Sequence, residues 1–183
     1  ALTKKYLKGA SACFSCPLAC GRLTALKDSQ FEGSGEGPEY ETLYSMGAMC
    51  GISDLAAITK ANYICNEMGF DTISAGATVA CAMEMQEKGI LSDKETGGKL
   101  QFGDGAALVR AIESIAERKD FGDALAEGSL RMATKYGAPE LAMQVKGMEF
   151  AGYDPRGEQG MGLNYATSPI GASHMRGDTN YME

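Results

Sequence analysis

The chain has 183 residues and a formal net charge of −7, with six cysteines, eleven methionines and 24 glycines. That length can bury a sizeable core without a disulfide or metal framework to hold it together. No stripe of lysine or arginine offers itself to nucleic acid or to an anionic membrane, and no apolar run is long enough to span a bilayer. The opening residues, Ala1-Leu-Thr-Lys-Lys5, lead into no signal-peptide core, so the chain reads as soluble and cytoplasmic. In a reducing compartment the six cysteines are not a disulfide set.

The first feature along the chain is Cys13-Phe-Ser-Cys16-Pro-Leu-Ala-Cys20, three thiols within eight residues. Structural zinc usually takes its thiolates as two separated pairs, so one compact triplet suits an iron–sulfur cluster with a fourth ligand from elsewhere better. A zinc site and inert cysteines are the alternative readings. Cys50, Cys65 and Cys81 sit among apolar residues in helical segments and read as small core side chains.

Ser53 to Gly69 predicts an amphipathic helix, with Ser53 as its N-cap, apolar residues at Leu55, Ile58, Ala61, Cys65 and Met68, and a glycine stop. A second helix starts at Asp71, whose carboxylate caps Thr72 to Ser74, and stops at Gly89 with a wide buried face. Residues 91–103 read as a surface connection. Asp104 to Arg118 gives a third helix with Leu108, Ala111, Ile112 and Ile115 on one face, and Phe121 to Tyr136 a fourth, broken by Gly-Ala-Pro139. Strand signals are nearly absent, the best being Met143 to Phe150. The fold class is therefore mainly α and multihelical. From Lys146 onward the chain is dense in glycine and unsuited to a regular packed helix, which predicts close approaches to its backbone. The last residues, His174 to Glu183, bring no cap or closing core element, and the chain reads as cut from something longer.

Several blocks occur in a fixed order: the cysteine triplet, Gly37-Pro-Glu-Tyr-Glu-Thr42, Cys65-Asn-Glu-Met-Gly-Phe-Asp-Thr-Ile-Ser74, Tyr153-Asp-Pro-Arg-Gly157 and Tyr165-Ala-Thr-Ser168. Together, from about Ala10 to the last residue, they resemble the tungsten-containing aldehyde ferredoxin oxidoreductase family. The resemblance implies tungsten, or molybdenum, bound by two pyranopterins, with a [4Fe–4S] cluster as the electron exit. It implies the first helical domain over residues 1–145 and the start of a second over 146–183. An amino-terminal β-rich domain, the second pterin motif and the fourth cluster cysteine are expected outside this chain, so that both cofactors are in doubt for the fragment alone.

By the same resemblance Cys13, Cys16 and Cys20 match the first three cluster ligands, as soft anionic donors that offset the iron charge. The first pterin window reads Asn66-Glu-Met-Gly69-Phe70-Asp71, departing from the family at Asn66, where an aspartate is usual, and at Phe70, where a leucine is usual. Read without the family, Gly69 ends one helix and Asp71 caps the next, and both roles are compatible because a helix junction presents free backbone groups. Glu41 matches a carboxylate near the metal, His174 the active-site histidine, and Arg176 a basic residue on cofactor phosphate or pterin oxygen. Without the resemblance, His174 reads as a structural or surface histidine and Glu41 as a solvated glutamate.

The implied reaction is oxidation of an aldehyde to a carboxylic acid, with ferredoxin as electron acceptor and Glu41 or His174 managing the proton. Another oxo compound or an aromatic acyl thioester is the alternative substrate, and a plain iron–sulfur electron-transfer module the alternative class. Homo-oligomerisation of the full-length protein is left open.

Overall fold

Residues 2–27, 30–177 and 179 are described by the computed structural model. A short helix α1 (Leu2–Lys5) leads into a three-stranded antiparallel sheet, β1 (Leu7–Ser11), β2 (Gly21–Leu26) and β3 (Gly33–Glu36), in the order β1-β2-β3. This sheet corrects the reading that strand signals are nearly absent, and the reason lies in tertiary packing. Its last strand is Gly-Ser-Gly-Glu, whose glycines have no β preference of their own. They lie under the ring of Tyr63, where a Cβ on Gly33 or Gly35 would come within 3.1 Å of ring carbons. Thr24 and Tyr63 share a hydroxyl hydrogen bond of 2.7 Å, and Tyr6, Leu26, Ala56 and Tyr63 form a small buried cluster.

Next come a one-turn helix α2 (Tyr40–Thr42) and a π-helical turn (Leu43–Ala48), then α3 (Leu55–Met68) and α4 (Thr72–Glu87). The cap of α3 is Asp54 rather than Ser53: its Oδ1 accepts from the amides of Ala56 at 2.9 Å and Ala57 at 3.4 Å. Met68 is 57% exposed and stands outside the apolar face assigned to it, because the helix is already unwinding into Gly69 (φ 75°). Asp71 caps α4 as its sequence indicates, its Oδ2 accepting from Ser74 N at 2.7 Å.

α4 is the axis of the main core. Val79, Met83 and Met85 are at most 1% exposed, each contributing roughly 1.5–3 kcal/mol by burial. α3, the π turn, α5 (Gly105–Glu117), α6 (Phe121–Leu125) and α7 (Ser129–Lys135) contribute to the same cluster. Leu108, Ala111, Ile112 and Ile115 all face it. The single helix expected over Phe121 to Tyr136 is two, because Gly128 (φ 86°) turns the chain and Ser129 restarts it.

The strand expected over Met143 to Phe150 is a minimal hairpin, β4 (Gln144–Val145) and β5 (Met148–Glu149), around a Lys146–Gly147 turn with φ of 56° and 81°. Gln159–Thr167 forms a helix, α8, correcting the expectation that the glycine-dense segment excludes one; Met161 and Tyr165 anchor it in a third cluster with Ala172. The expected close approaches are present, since a Cβ on Gly152 would meet the Tyr44 ring at 3.0 Å. Among the described residues no helix is long and apolar enough to cross a membrane.

Candidate functional site

The three cysteines lie in the connection between β1 and β2, held by the pairing of Ser11 with Gly21 at its base. Cys16 N donates to Cys13 O at 3.0 Å, and Ser15 and Ala19 take left-handed φ of 58° and 45°. Non-glycine residues in that region carry strain that the surroundings must hold in place. The result is an outward loop with Cys13 and Cys20 exposed, Cys16 half-buried, and the Phe14 side chain wholly in solvent. All three are free thiols, and the described side chains contain no group of three that is arranged to hold an ion. Donor chemistry and accessibility fit a cluster; the sulfurs share a loop without converging. Cys50, Cys65 and Cys81 are buried, as expected, and burial pushes their thiols up to about 12, about 12 and about 11.

Arg22, two residues beyond Cys20, reaches from β2 to Glu39 Oε2 at 2.8 Å and Pro38 O at 3.1 Å. It ties the cysteine hairpin to the segment that enters α2, where Glu41 sits. Glu41 is half-buried: Oε2 accepts from the Gly152 amide at 2.8 Å, and Oε1 is buried with no hydrogen-bond partner. A buried carboxylate oxygen left unpaired is unfavourable unless some further group meets it. The observation therefore counts against the reading of Glu41 as a solvated glutamate.

The next residue, Thr42, shares a hydroxyl hydrogen bond of 2.8 Å with Thr72, and Ser45 in the π turn donates to Thr72 O at 3.0 Å. Thr72 directly follows Asp71, so these contacts bring the end of the window expected to bind pterin beside Thr42, the neighbour of Glu41. Of that window, Asn66, Gly69 and Asp71 are exposed, whereas the Phe70 side chain packs on the main core. The Phe70 amide, like that of Gly69, is taken up by Cys65 O, at 3.1 and 2.8 Å.

On the other side of Glu41, Gly152 leads to Tyr153, whose ring stacks on His174 at 5.6 Å and 27° and lies 6.5 Å from Tyr40. Tyr165 donates to Tyr153 O at 3.3 Å, and burial, then the charges of Glu41 and Glu158, raises its phenol above the usual range. Tyr44 is raised in the same way, by burial first and then by Glu41 and Asp154. Arg176 is exposed two residues beyond His174. Beside this wall opens a cleft of about 270 Å³ between Tyr44, Met49, Met143, Phe150 and Tyr153. Larger clefts of about 580 and 660 Å³ lie along α5 and contain none of the candidate residues.

Asp71, Glu41 and His174 thus belong to one continuous array, Asp71–Thr72, Thr42–Glu41, Gly152–Tyr153 and His174, while the cysteines stand apart and join it through Arg22. The sequence reading gave no role to Arg22, Thr42, Thr72, Gly152 or Tyr153. Thr42, Thr72 and Tyr153 nevertheless lie in its ordered blocks, whereas Arg22 and Gly152 left no signal.

This helical fold with its small sheets is shared with the active-site complex BamBC of benzoyl coenzyme A reductase, solved with 1,5-dienoyl-CoA. The TM-score is 0.74 at 24% identity, over 94% of this chain and 26% of that one. The family model described as aldehyde ferredoxin oxidoreductase, domains 2 and 3, matches residues 1–183. The chain belongs to this family. It is 49% identical over 184 residues to the tungsten-containing aldehyde ferredoxin oxidoreductase of Pyrococcus furiosus and 50% identical to that of Thermococcus kodakarensis. It is 29% identical to an aliphatic sulfonate oxidoreductase, WOR-like subunit, of Pyrococcus furiosus. The chain spans 29% of the length of each of these three relatives.

Proposed function

We propose that this chain supplies the catalytic carboxylate, the histidine and one cofactor surface of a tungsten-dependent oxidoreductase that converts aldehydes to carboxylic acids, with ferredoxin as electron acceptor. The observation that carries this reading is the juxtaposition of Glu41 with the pterin window on one side, through Thr42–Thr72, and with Tyr153 and His174 on the other, through Gly152. Residues 1–145 form the first helical domain in this reading and 146–183 the start of the second; the separate cluster of Met161, Tyr165 and Ala172 supports the division.

Asn66, Gly69, Phe70, Asp71 and Arg176 hold the pyranopterin, through the backbone of the α3–α4 junction and the Arg176 guanidinium. Cys13, Cys16 and Cys20 hold the [4Fe–4S] cluster with a fourth thiolate from elsewhere in the full-length protein. Bound there, the tungsten group would supply two-electron redox chemistry and the cluster a route for single electrons. The chain's own residues manage the protons. Glu41 is fixed by the Gly152 amide on Oε2, which leaves Oε1 to accept a proton, and the His174 ring stacked on Tyr153 hands a proton onward. The cleft beside Tyr153 suits the apolar tail of the aldehyde.

Anaerobic tungsten and iron analysis of the full-length protein tests both cofactors together; a cluster with neither tungsten nor molybdenum would point to an electron carrier instead. Replacing His174 in that protein is expected to lower turnover with metal content intact. Parallel loss of metal would reassign His174 to a structural role. A second substrate class, another oxo compound, is favoured by the likeness to the sulfonate oxidoreductase, but identity to the aldehyde enzymes is far higher.

A further inference from the structure

Glu149, at the end of β5, is a charged residue only 5% exposed and forms no ion pair among the described residues. Both carboxylate oxygens are occupied. Oε1 accepts from Ser129 N at 2.9 Å and Ser129 Oγ at 2.8 Å, and Oε2 accepts from Ser74 Oγ at 2.8 Å. All three partners are donors, which suits an ionised carboxylate that can only accept. A buried carboxylate is a costly way to join three backbone segments when apolar contacts would do so, and its value lies in fixing geometry.

The geometry in question is a closed circuit. Ser74 sits in the first turn of α4, where its amide is capped by Asp71 and its hydroxyl reaches Glu149. Three residues beyond Glu149, the Gly152 amide reaches Glu41. Thr42, beside Glu41, returns to Thr72, beside Asp71. The circuit therefore runs through the first turn of α4, which Asp71 caps, through Glu41 and through the segment from Glu149 to Gly152 that leads to Tyr153, and Glu149 closes it.

We propose that Glu149 is a positioning residue, a buried clasp that holds the Gly152–Tyr153 wall in register with the start of α4, so that Glu41 keeps a fixed place relative to the bound cofactor. This rests on the function proposed above. Two serines on one carboxylate provide the discriminating test, because Ser74 belongs to the circuit and Ser129, at the start of α7, does not.

In the full-length protein, Ser74→Ala is expected to lower kcat for aldehyde oxidation roughly tenfold with tungsten and iron content unchanged, since small misplacements of reacting groups have large effects on rate. It is also expected to quicken hydrogen exchange at the Gly152 amide. Ser129→Ala removes an equally short bond to the same oxygen pair and is expected to leave kcat within about twofold and Gly152 exchange as in the parent. Equal effects of the two variants, or unchanged exchange at Gly152 in Ser74→Ala, would overturn the clasp. Amide exchange needs no turnover: a parent protein without aldehyde activity would refute the functional reading while the exchange comparison still decides the clasp. Where Ser74→Ala does not fold, Ser74→Cys, which weakens the same bond at nearly unchanged volume, takes its place against Ser129→Ala.

Discussion

Gly76 lies inside α4, where a Cβ would stand 2.7 Å from both the backbone carbon and the Cβ of Ser45 in the π turn. Neither atom can rotate away, so Gly76→Ala must push the π turn off α4, at a cost of about 1–3 kcal/mol for overpacking. The shift also strains the Ser45 bond to Thr72 O and the Thr42–Thr72 bond, at 3.0 and 2.8 Å, each contributing roughly 1 kcal/mol. Against this, alanine gains about 1 kcal/mol over glycine in a helix interior. With both bonds lost the net loss is about 2–4 kcal/mol, a fall in Tm of roughly 4–16 °C for a chain of this length. Thermal unfolding by circular dichroism reads it directly, with Gly9→Ala as the comparison, because a Cβ there meets nothing within 4 Å. A Gly76→Ala chain that unfolds at or above the parent temperature would refute the close contact. Because Thr42 and Ser45 follow Glu41, the same variant is expected to lower turnover in the full-length protein.

Native chain treated with a maleimide is expected to label at Cys13, Cys16 and Cys20, with Cys50, Cys65 and Cys81 reacting only after unfolding; mass spectrometry showing early adducts on the buried three would contradict their burial. Those three thiols also set an alkaline limit. Their raised pKa values stabilise the native state fully below the ordinary thiol value of about 8.5, and that contribution is lost as pH climbs toward about 12 for Cys50 and Cys65 and about 11 for Cys81. Denaturant midpoints are expected to fall across that window, and to fall less in a Cys65→Ala chain. Asp71→Ala removes the cap on Ser74 N and is expected to lower stability by about 1 kcal/mol, visible as a shift of the urea midpoint with an unchanged slope. The 183-residue chain alone is expected to give no aldehyde-dependent dye reduction; such activity would show that it needs nothing from the rest of the full-length protein.

Local chemistry made α3, α4 and α5 legible in the sequence, because capping side chains and 3.6-residue periodicity act within a few residues: Asp71 caps α4 as its position indicates, and α5 starts where its apolar face begins, at the Asp104 cap. The cysteine triplet was legible for the same reason, its spacing being a property of eight consecutive residues. The order of motifs also carried the family, and with it Glu41 and His174 as candidates. Strand β3 was hidden because its glycines answer to Tyr63, about thirty residues away, rather than to any β preference. The break between α6 and α7 depends on Gly128 and on the amide of Ser129 finding Glu149, and α8 forms from glycine-rich sequence because Met161 and Tyr165 have a cluster to enter.

What the sequence by itself determined was helices α3, α4 and α5, the spacing of the cysteine loop and the family. The tertiary structure alone decided that Glu41 meets Gly152, 111 residues away, that Thr42 meets Thr72, and that Tyr153 stacks on His174. Hydrogen bonds and ring contacts between distant segments leave no periodicity in the chain. They exist only once burial has brought those segments to within a few ångströms of one another.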